Sequence, residues 1–123
     1  MAAEIPQSRQ STDSVYGKPT LTLGTAKEIV NTRYCLEIDV IKELSGSVDQ
    51  NFYVSSSVGA QTTEFVLKII NLKESKCEEL LMGRIEIMCC LNNDNINCPV
   101  PVKLSDGNYI TWYGTKEISS YWF

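Results

Sequence analysis

The sequence predicts an α+β domain: one antiparallel sheet of about five strands, a helix packed across it, and another helix ahead of it. Three observations lead there. Apolar residues recur at helical spacing in two stretches, one starting after Pro19 and one running from Lys73 to Asn93. Between and after them lie alternating or β-prone segments. The links are short and marked by Gly or Asn, which favours antiparallel neighbours. The 123 residues suffice for one domain, and 43% apolar with 21% charged residues is ordinary globular composition.

In chain order, residues 1–18 are polar and rich in Ser and Gln, and read as a flexible tail before a domain over 19–123. Leu23, Ala26, Ile29, Val30 and Tyr34 fall at helical spacing, with Thr20 or Thr22 as the cap. Leu36, Ile38 and Val40 alternate with Glu37 and Asp39, so 36–44 reads as a strand with one wet face. Gly46 and its small polar neighbours mark a turn. Phe52–Val54 resume a strand that ends near Gly59, and Phe65–Ile70 form the most β-prone stretch. Leu81, Ile85, Met88 and Leu91 then return to helical spacing, with Ser75 as the expected cap and Gly83 weakening the middle. Asn92–Asn95 end that helix. Pro99 and Pro101 confine their segment to a sheet edge, since neither donates to a ladder. Asp106-Gly107 reads as a hairpin turn, and the last residues enter a strand carrying Tyr121, Trp122 and Phe123. The expected core gathers Phe65, Leu67, Ile69, Leu81, Ile85 and Leu91.

Composition also excludes functions. A net charge of −4 without a dense Lys/Arg cluster argues against nucleic-acid binding, and no run is apolar enough to span a bilayer. The absence of histidine removes Ser-His-Asp and Cys-His catalysis and His-containing zinc sites. The five cysteines (35, 77, 89, 90 and 98) include no CxxC pair, and the first ten residues lack a signal peptide's apolar stretch. Reduced thiols in a cytoplasmic protein are expected. A zinc site from Cys89, Cys90, Cys98 and one more ligand is disfavoured, because adjacent cysteines rarely converge on one ion.

Three segments carry chemistry: DQNFYV at Asp49–Val54, TEFVLKIINLKESK at Thr63–Lys76, and the helix that follows, up to Leu91. Together they resemble the amino-terminal lobe of the kinase-like aminoglycoside phosphotransferase and choline kinase superfamily, and within it the hydroxylysine kinases. The resemblance covers roughly 18–123. It implies a kinase-like N-lobe in which Lys68, held at fixed depth by its apolar strand, reaches an α- or β-phosphate; read from the residues alone, Lys68 simply snorkels to solvent. It also implies that Ser45, Gly46, Ser47 and Asn51 belong to a nucleotide-covering loop, whose small residues let backbone N–H groups approach phosphate. By itself this stretch is a β-turn, and Asp49 adds an unhelpful negative charge. A helix carboxylate should orient the lysine. Two turns before Leu91 stands Arg84 instead, so Glu86, which shares a face with Glu79, is assigned that role.

The family's second lobe supplies a catalytic aspartate in a His-x-Asp context, a metal-binding Asn and an Asp that holds magnesium. No matching positions exist here, so no catalytic or metal-binding residue is assigned, and the second lobe is expected to be absent. The resemblance implies phosphoryl transfer from GTP or ATP with magnesium onto an alcohol, the hydroxyl of 5-hydroxy-L-lysine, by a parent protein of which these residues are a portion inactive alone. Two alternatives stand beside it. One is an interaction or regulatory fragment that docks on a protein partner through Tyr121-Trp122-Phe123 at an exposed C-terminal edge. The other is the N-lobe of a related kinase for choline, homoserine or an aminoglycoside.

Overall fold

The computed structural model describes residues 17–113 and the backbone of 116–122. After the helix α1 (Leu23–Arg33) come the strands β1 (Val40–Leu44), β2 (Gln50–Val58) and β3 (Gln61–Ile69). A single helical turn, α2 (Leu72–Ser75), precedes the long helix α3 (Glu78–Asn93). Strands β4 (Val100–Pro101), β5 (Thr111–Tyr113) and β6 (Lys116–Trp122) follow.

Every strand pairing is antiparallel, and the sheet runs β1-β2-β3-β6-β4, with β5 also pairing with β6. The β2–β3 hairpin is its backbone, paired from Gln50↔Ile69 to Val58↔Gln61. Gly59 makes the turn at φ 63°, a left-handed conformation that glycine adopts without a Cβ clash. One face of this hairpin carries Phe52, Val54, Phe65, Leu67 and Ile69, all buried. Against it lies α1, whose Ala26, Ile29 and Val30 are spaced i, i+3, i+4 and fully covered. Val102 and Leu104 close the same core.

Thr22 caps α1 by accepting from the Thr25 N–H at 3.1 Å, as the sequence suggests. At the other end Arg33 donates to Thr111 Oγ1 (2.7 Å) and to the Trp112 carbonyl (2.9 Å), which ties α1 to β5. The α3 terminus forms a Schellman motif. Asn95 takes the left-handed position at φ 62°, and Ile96 N–H reaches back to the Leu91 carbonyl at 2.8 Å.

Several expectations are corrected. The first strand is only Val40–Leu44; Leu36 and Ile38 pack against the core from irregular backbone, while Val40 is exposed. Cys35 at φ 56° turns the chain out of α1, and this delays the strand. Ser75 is not the cap of α3. It ends α2 and donates to the Ile70 carbonyl, while Asn71 caps α2 and Cys77 starts α3 with no side-chain cap. Leu81 and Ile85 are buried, but outside the cluster that joins the sheet to α1, and Leu91 is only half-buried. Asp106-Gly107 is a turn, with Asp106 Oδ1 accepting from Asn108 N–H at 2.9 Å; the segments flanking it do not pair as a hairpin, and β5 pairs with β6.

The terminal strand is not a sheet edge either: β6 is bonded to β3 on one side and to β4 and β5 on the other. The side chains of Tyr121 and Trp122, and all of Phe123, lie outside the described residues. Residues 1–16 of the expected tail do too, whereas Gly17 accepts from Leu72 N–H (3.1 Å) and Lys18 Nζ donates to the Gly46 carbonyl (2.6 Å).

A Cβ at Gly83 meets nothing within 4 Å. Gly83→Ala therefore raises unfolding stability by about 0.5–1 kcal/mol through helix propensity alone. A Cβ at Gly46 would lie 2.5 Å from the Asp49 carbonyl oxygen, so Gly46→Ala destabilises the β1–β2 link. Urea unfolding of the two variants should shift the midpoint in opposite directions.

Candidate phosphate-gripping site

Three consecutive polar residues at the start of β2 have separate destinations, because successive strand side chains point to opposite faces. Gln50, nearly fully buried, turns inward. Its Oε1 accepts from Leu21 N–H and its Nε2 donates to the Leu21 carbonyl, both at 2.8 Å, with a further donation to Glu43 at 3.1 Å. The chain entering α1 is thereby fastened to the sheet. Asp49 and Asn51 turn the other way, toward Lys68.

The register places Asn51 directly opposite Lys68. Lys68 Nζ donates to Asn51 Oδ1 at 3.0 Å and lies 3.5 Å from Asp49 Oδ2. Asp49 is itself held: its Oδ1 accepts from the Asn71 backbone N–H and from Asn71 Nδ2, both at 2.8 Å. The fully buried Asn71 then uses its Oδ1 to cap α2 through Glu74 N–H at 2.9 Å. With side chains 29% and 14% exposed, Lys68 and Asp49 form a partly desolvated pair whose geometry is set by hydrogen bonds.

Lys68 and Asp49 open onto a cleft of about 480 Å³ whose other walls are Ile70, Arg84, Ile87, Met88 and Pro99. Arg84, Ile87 and Met88 follow i, i+3, i+4 spacing, so one stripe of α3 faces the cleft. Arg84 Nη1 also meets Glu74 Oε1 at 2.9 Å, bracing α3 against α2. That contact is the main reason the Glu74 carboxyl titrates below its ordinary value, and Lys68 contributes to the same shift.

Of the residues singled out from sequence, the structure brings Lys68 and Asn51 together. Gly46 packs over them, since a Cβ there would approach Asn51 Nδ2 at 2.9 Å. Ser45 and Ser47 are exposed on the same link, and among the described residues neither hydrogen-bonds to the lysine cluster. Glu86 does not meet Lys68. It is exposed and forms no ion pair among the described residues. It stands two residues beyond Arg84, about 200° around the helix from the stripe lining the cleft.

The carboxylate at the lysine is Asp49, whose charge the sequence reading set down as a liability. Asn71 and Arg84 were missed as members of the cluster. The available signal was the period-two placement of Asp49 and Asn51 on the face that a hairpin through Gly59 gives to Lys68. Among the described residues no three His, Cys, Asp or Glu side chains converge as metal ligands, and all five cysteines are free. No helix among them is long and apolar enough to cross a membrane.

No protein-family profile matches the chain. Among curated proteins, it is similar to a hydroxylysine kinase of Xenopus laevis, 29% identical over 96 residues, covering 76% of this chain and 26% of that protein. It is also similar to a hydroxylysine kinase of Danio rerio, 39% identical over 59 residues, covering 48% of this chain and 16% of that protein. The chain thus spans about a quarter or less of the length of these relatives. Among solved structures it resembles spectinomycin phosphotransferase in complex with ADP and spectinomycin, with a TM-score of 0.63 at 13% identity, over 85% of this chain and 30% of that one.

Two predictions come from the cluster. Asn71→Ala removes both the α2 cap and a donor to Asp49, and is expected to cost about 1–3 kcal/mol in urea unfolding. Glu74 titrates lower when folded than its ordinary 4.5, so its contribution to stability is fully present above pH 4.5 and disappears as pH falls through the folded value. The difference in unfolding free energy between wild type and Glu74→Gln, about 0.5 kcal/mol at neutral pH for so exposed a pair, should therefore vanish in acid. In fold the chain resembles part of a phosphotransferase, and in sequence it resembles part of the hydroxylysine kinases.

Proposed function

We propose that these residues form the nucleotide-gripping lobe of a small-molecule kinase that moves a phosphoryl group from a nucleoside triphosphate to the hydroxyl of 5-hydroxy-L-lysine. The observation that carries this reading is Lys68, held on a central strand by Asn51 and Asp49 at the mouth of a cleft. Phosphoryl transfer asks the protein mainly to position the triphosphate and offset its charge. An ammonium whose strand is paired on both sides keeps its depth and direction, so little ordering remains to be done when a phosphate arrives.

The Ser45–Ser47 link would offer backbone N–H groups to the same phosphates. The reaction would break the bond between the transferred phosphorus and the nucleotide's bridging oxygen, form one to the acceptor oxygen, and release the hydroxyl proton to a base. Neither the base nor a magnesium ligand is assigned to a residue of this chain. The 123 residues accordingly bind nucleotide weakly and do not turn it over. Support for hydroxylysine as acceptor comes from the names of the two curated relatives, and support for a nucleotide from the ADP of the solved neighbour. GTP as donor and a cytoplasmic setting, which suits five free thiols, complete the proposal.

Titration of the chain with GTP-Mg and with ATP-Mg, followed by NMR, should give saturable shifts centred on Lys68. In Lys68→Ala the affinity should fall about tenfold or more, as expected for loss of a charge-assisted phosphate contact. Incubation with hydroxylysine and GTP-Mg should yield no phosphorylated product. Turnover that Lys68→Ala abolishes would overturn the assignment of grip without transfer.

A further inference from the structure

We propose that Arg84 is a second cation of the phosphate site, and that a bound polyphosphate takes its guanidinium over from Glu74. This rests on the reading of Lys68 given above. Strand and helix each contribute one cation to the same cleft: Lys68 from β3, and Arg84 from the α3 stripe that also carries Ile87 and Met88. Each already has a carboxylate close by, Asp49 for Lys68 and Glu74 for Arg84.

The two pairs differ in how firmly they are held. Asp49 accepts two hydrogen bonds from Asn71 and is largely covered, so it stays with Lys68. The Arg84–Glu74 pair has side chains 46% and 23% exposed, in the range where an ion pair contributes little and exchanges readily. Glu74 also feels the positive charge of both Arg84 and Lys68. Its carboxylate therefore competes with an entering anion for the Arg84 guanidinium at the cleft. A phosphate brings more charge and more acceptor oxygens than a carboxylate, and the planar guanidinium fork matches it with two parallel hydrogen bonds. Because Asp49 supplies the lysine's carboxylate from the β1–β2 link, the helix position facing the cleft is available for a cation.

The discriminating consequence is a gain of affinity on removing an acid. The probe is inorganic tripolyphosphate, titrated by NMR into the full 123-residue chain with the Arg84 Nε–H signal observed. In wild type that signal should move along the same saturation curve as Lys68. Arg84→Ala should weaken binding about tenfold, and Arg84→Lys less, since it keeps the charge but loses the fork. Glu74→Gln should tighten binding about threefold, because it removes the charged carboxylate that competes for the Arg84 guanidinium. The Glu74→Gln/Arg84→Ala double variant should bind like Arg84→Ala.

The Glu74 backbone N–H that Asn71 caps is untouched by these changes, so α2 is retained. A Glu74→Gln variant that binds no more tightly, or an Arg84 signal that stays still while Lys68-dependent binding persists, overturns this inference and leaves the reading of Lys68 standing. If wild type shows no saturable binding, both fall.

Discussion

The alternation of side chains from Asp49 into the first residues of β2 is the constraint on which the site and the core both depend. Alternation sends Asp49 and Asn51 to one face and Gln50 and Phe52 to the other, so four consecutive residues serve two regions at once. On the inner face Gln50 binds both backbone groups of Leu21, and Phe52 fills the core beneath α1. On the outer face Asn51 and Asp49 meet Lys68. A one-residue slip of register would bury Asp49 and Asn51 and send Phe52 to solvent, so burial of the aromatic ring itself holds the polar groups at the lysine.

Electrostatically, the acid beside Lys68 comes from the β1–β2 link and not from the helix. Asp49 is held by Asn71, and Asn71 starts the helical turn whose Glu74 meets Arg84. A continuous set of contacts thus runs from Lys68 through Asp49, Asn71 and Glu74 to Arg84, linking β3, the β1–β2 link, α2 and α3. Each link is a hydrogen bond or ion pair at or below 3.5 Å, short enough that displacing one member alters the setting of the next. The larger apolar cluster lies on the opposite face, where α1 covers the sheet, while Val66, Ile70, Leu81 and Ile85 are buried apart from it.

Local sequence rules succeeded where a single residue decides the outcome. Thr22 caps α1, Gly59 turns the hairpin, Asn95 ends α3, and the two-proline segment sits at the sheet's edge. They failed where neighbours compete. Ser75 has the chemistry of a cap, yet its hydroxyl goes to Ile70, because Asn71 has already capped the preceding turn. Val40 fits an alternating strand, yet it faces solvent, because Cys35 reverses the chain in a left-handed conformation and delays entry into the sheet. The terminal strand looked like an exposed edge, but lies between β3 and the β4 and β5 segments.

The sequence by itself determined the class of the domain and the central hairpin, because alternation and turn glycines are local patterns, whereas Lys68 and Asn51 were singled out by the resemblance to the kinase-like superfamily. Only the tertiary structure decided which acid stands beside that lysine. Glu86 and Asp49 are equally plausible as a list of residues, but the helical pitch turns Glu86 away while the strand register brings Asp49 to 3.5 Å. The same packing sets Arg84 at the cleft. Ion pairing over several ångströms depends on where whole elements dock, and docking is governed by apolar burial elsewhere in the chain.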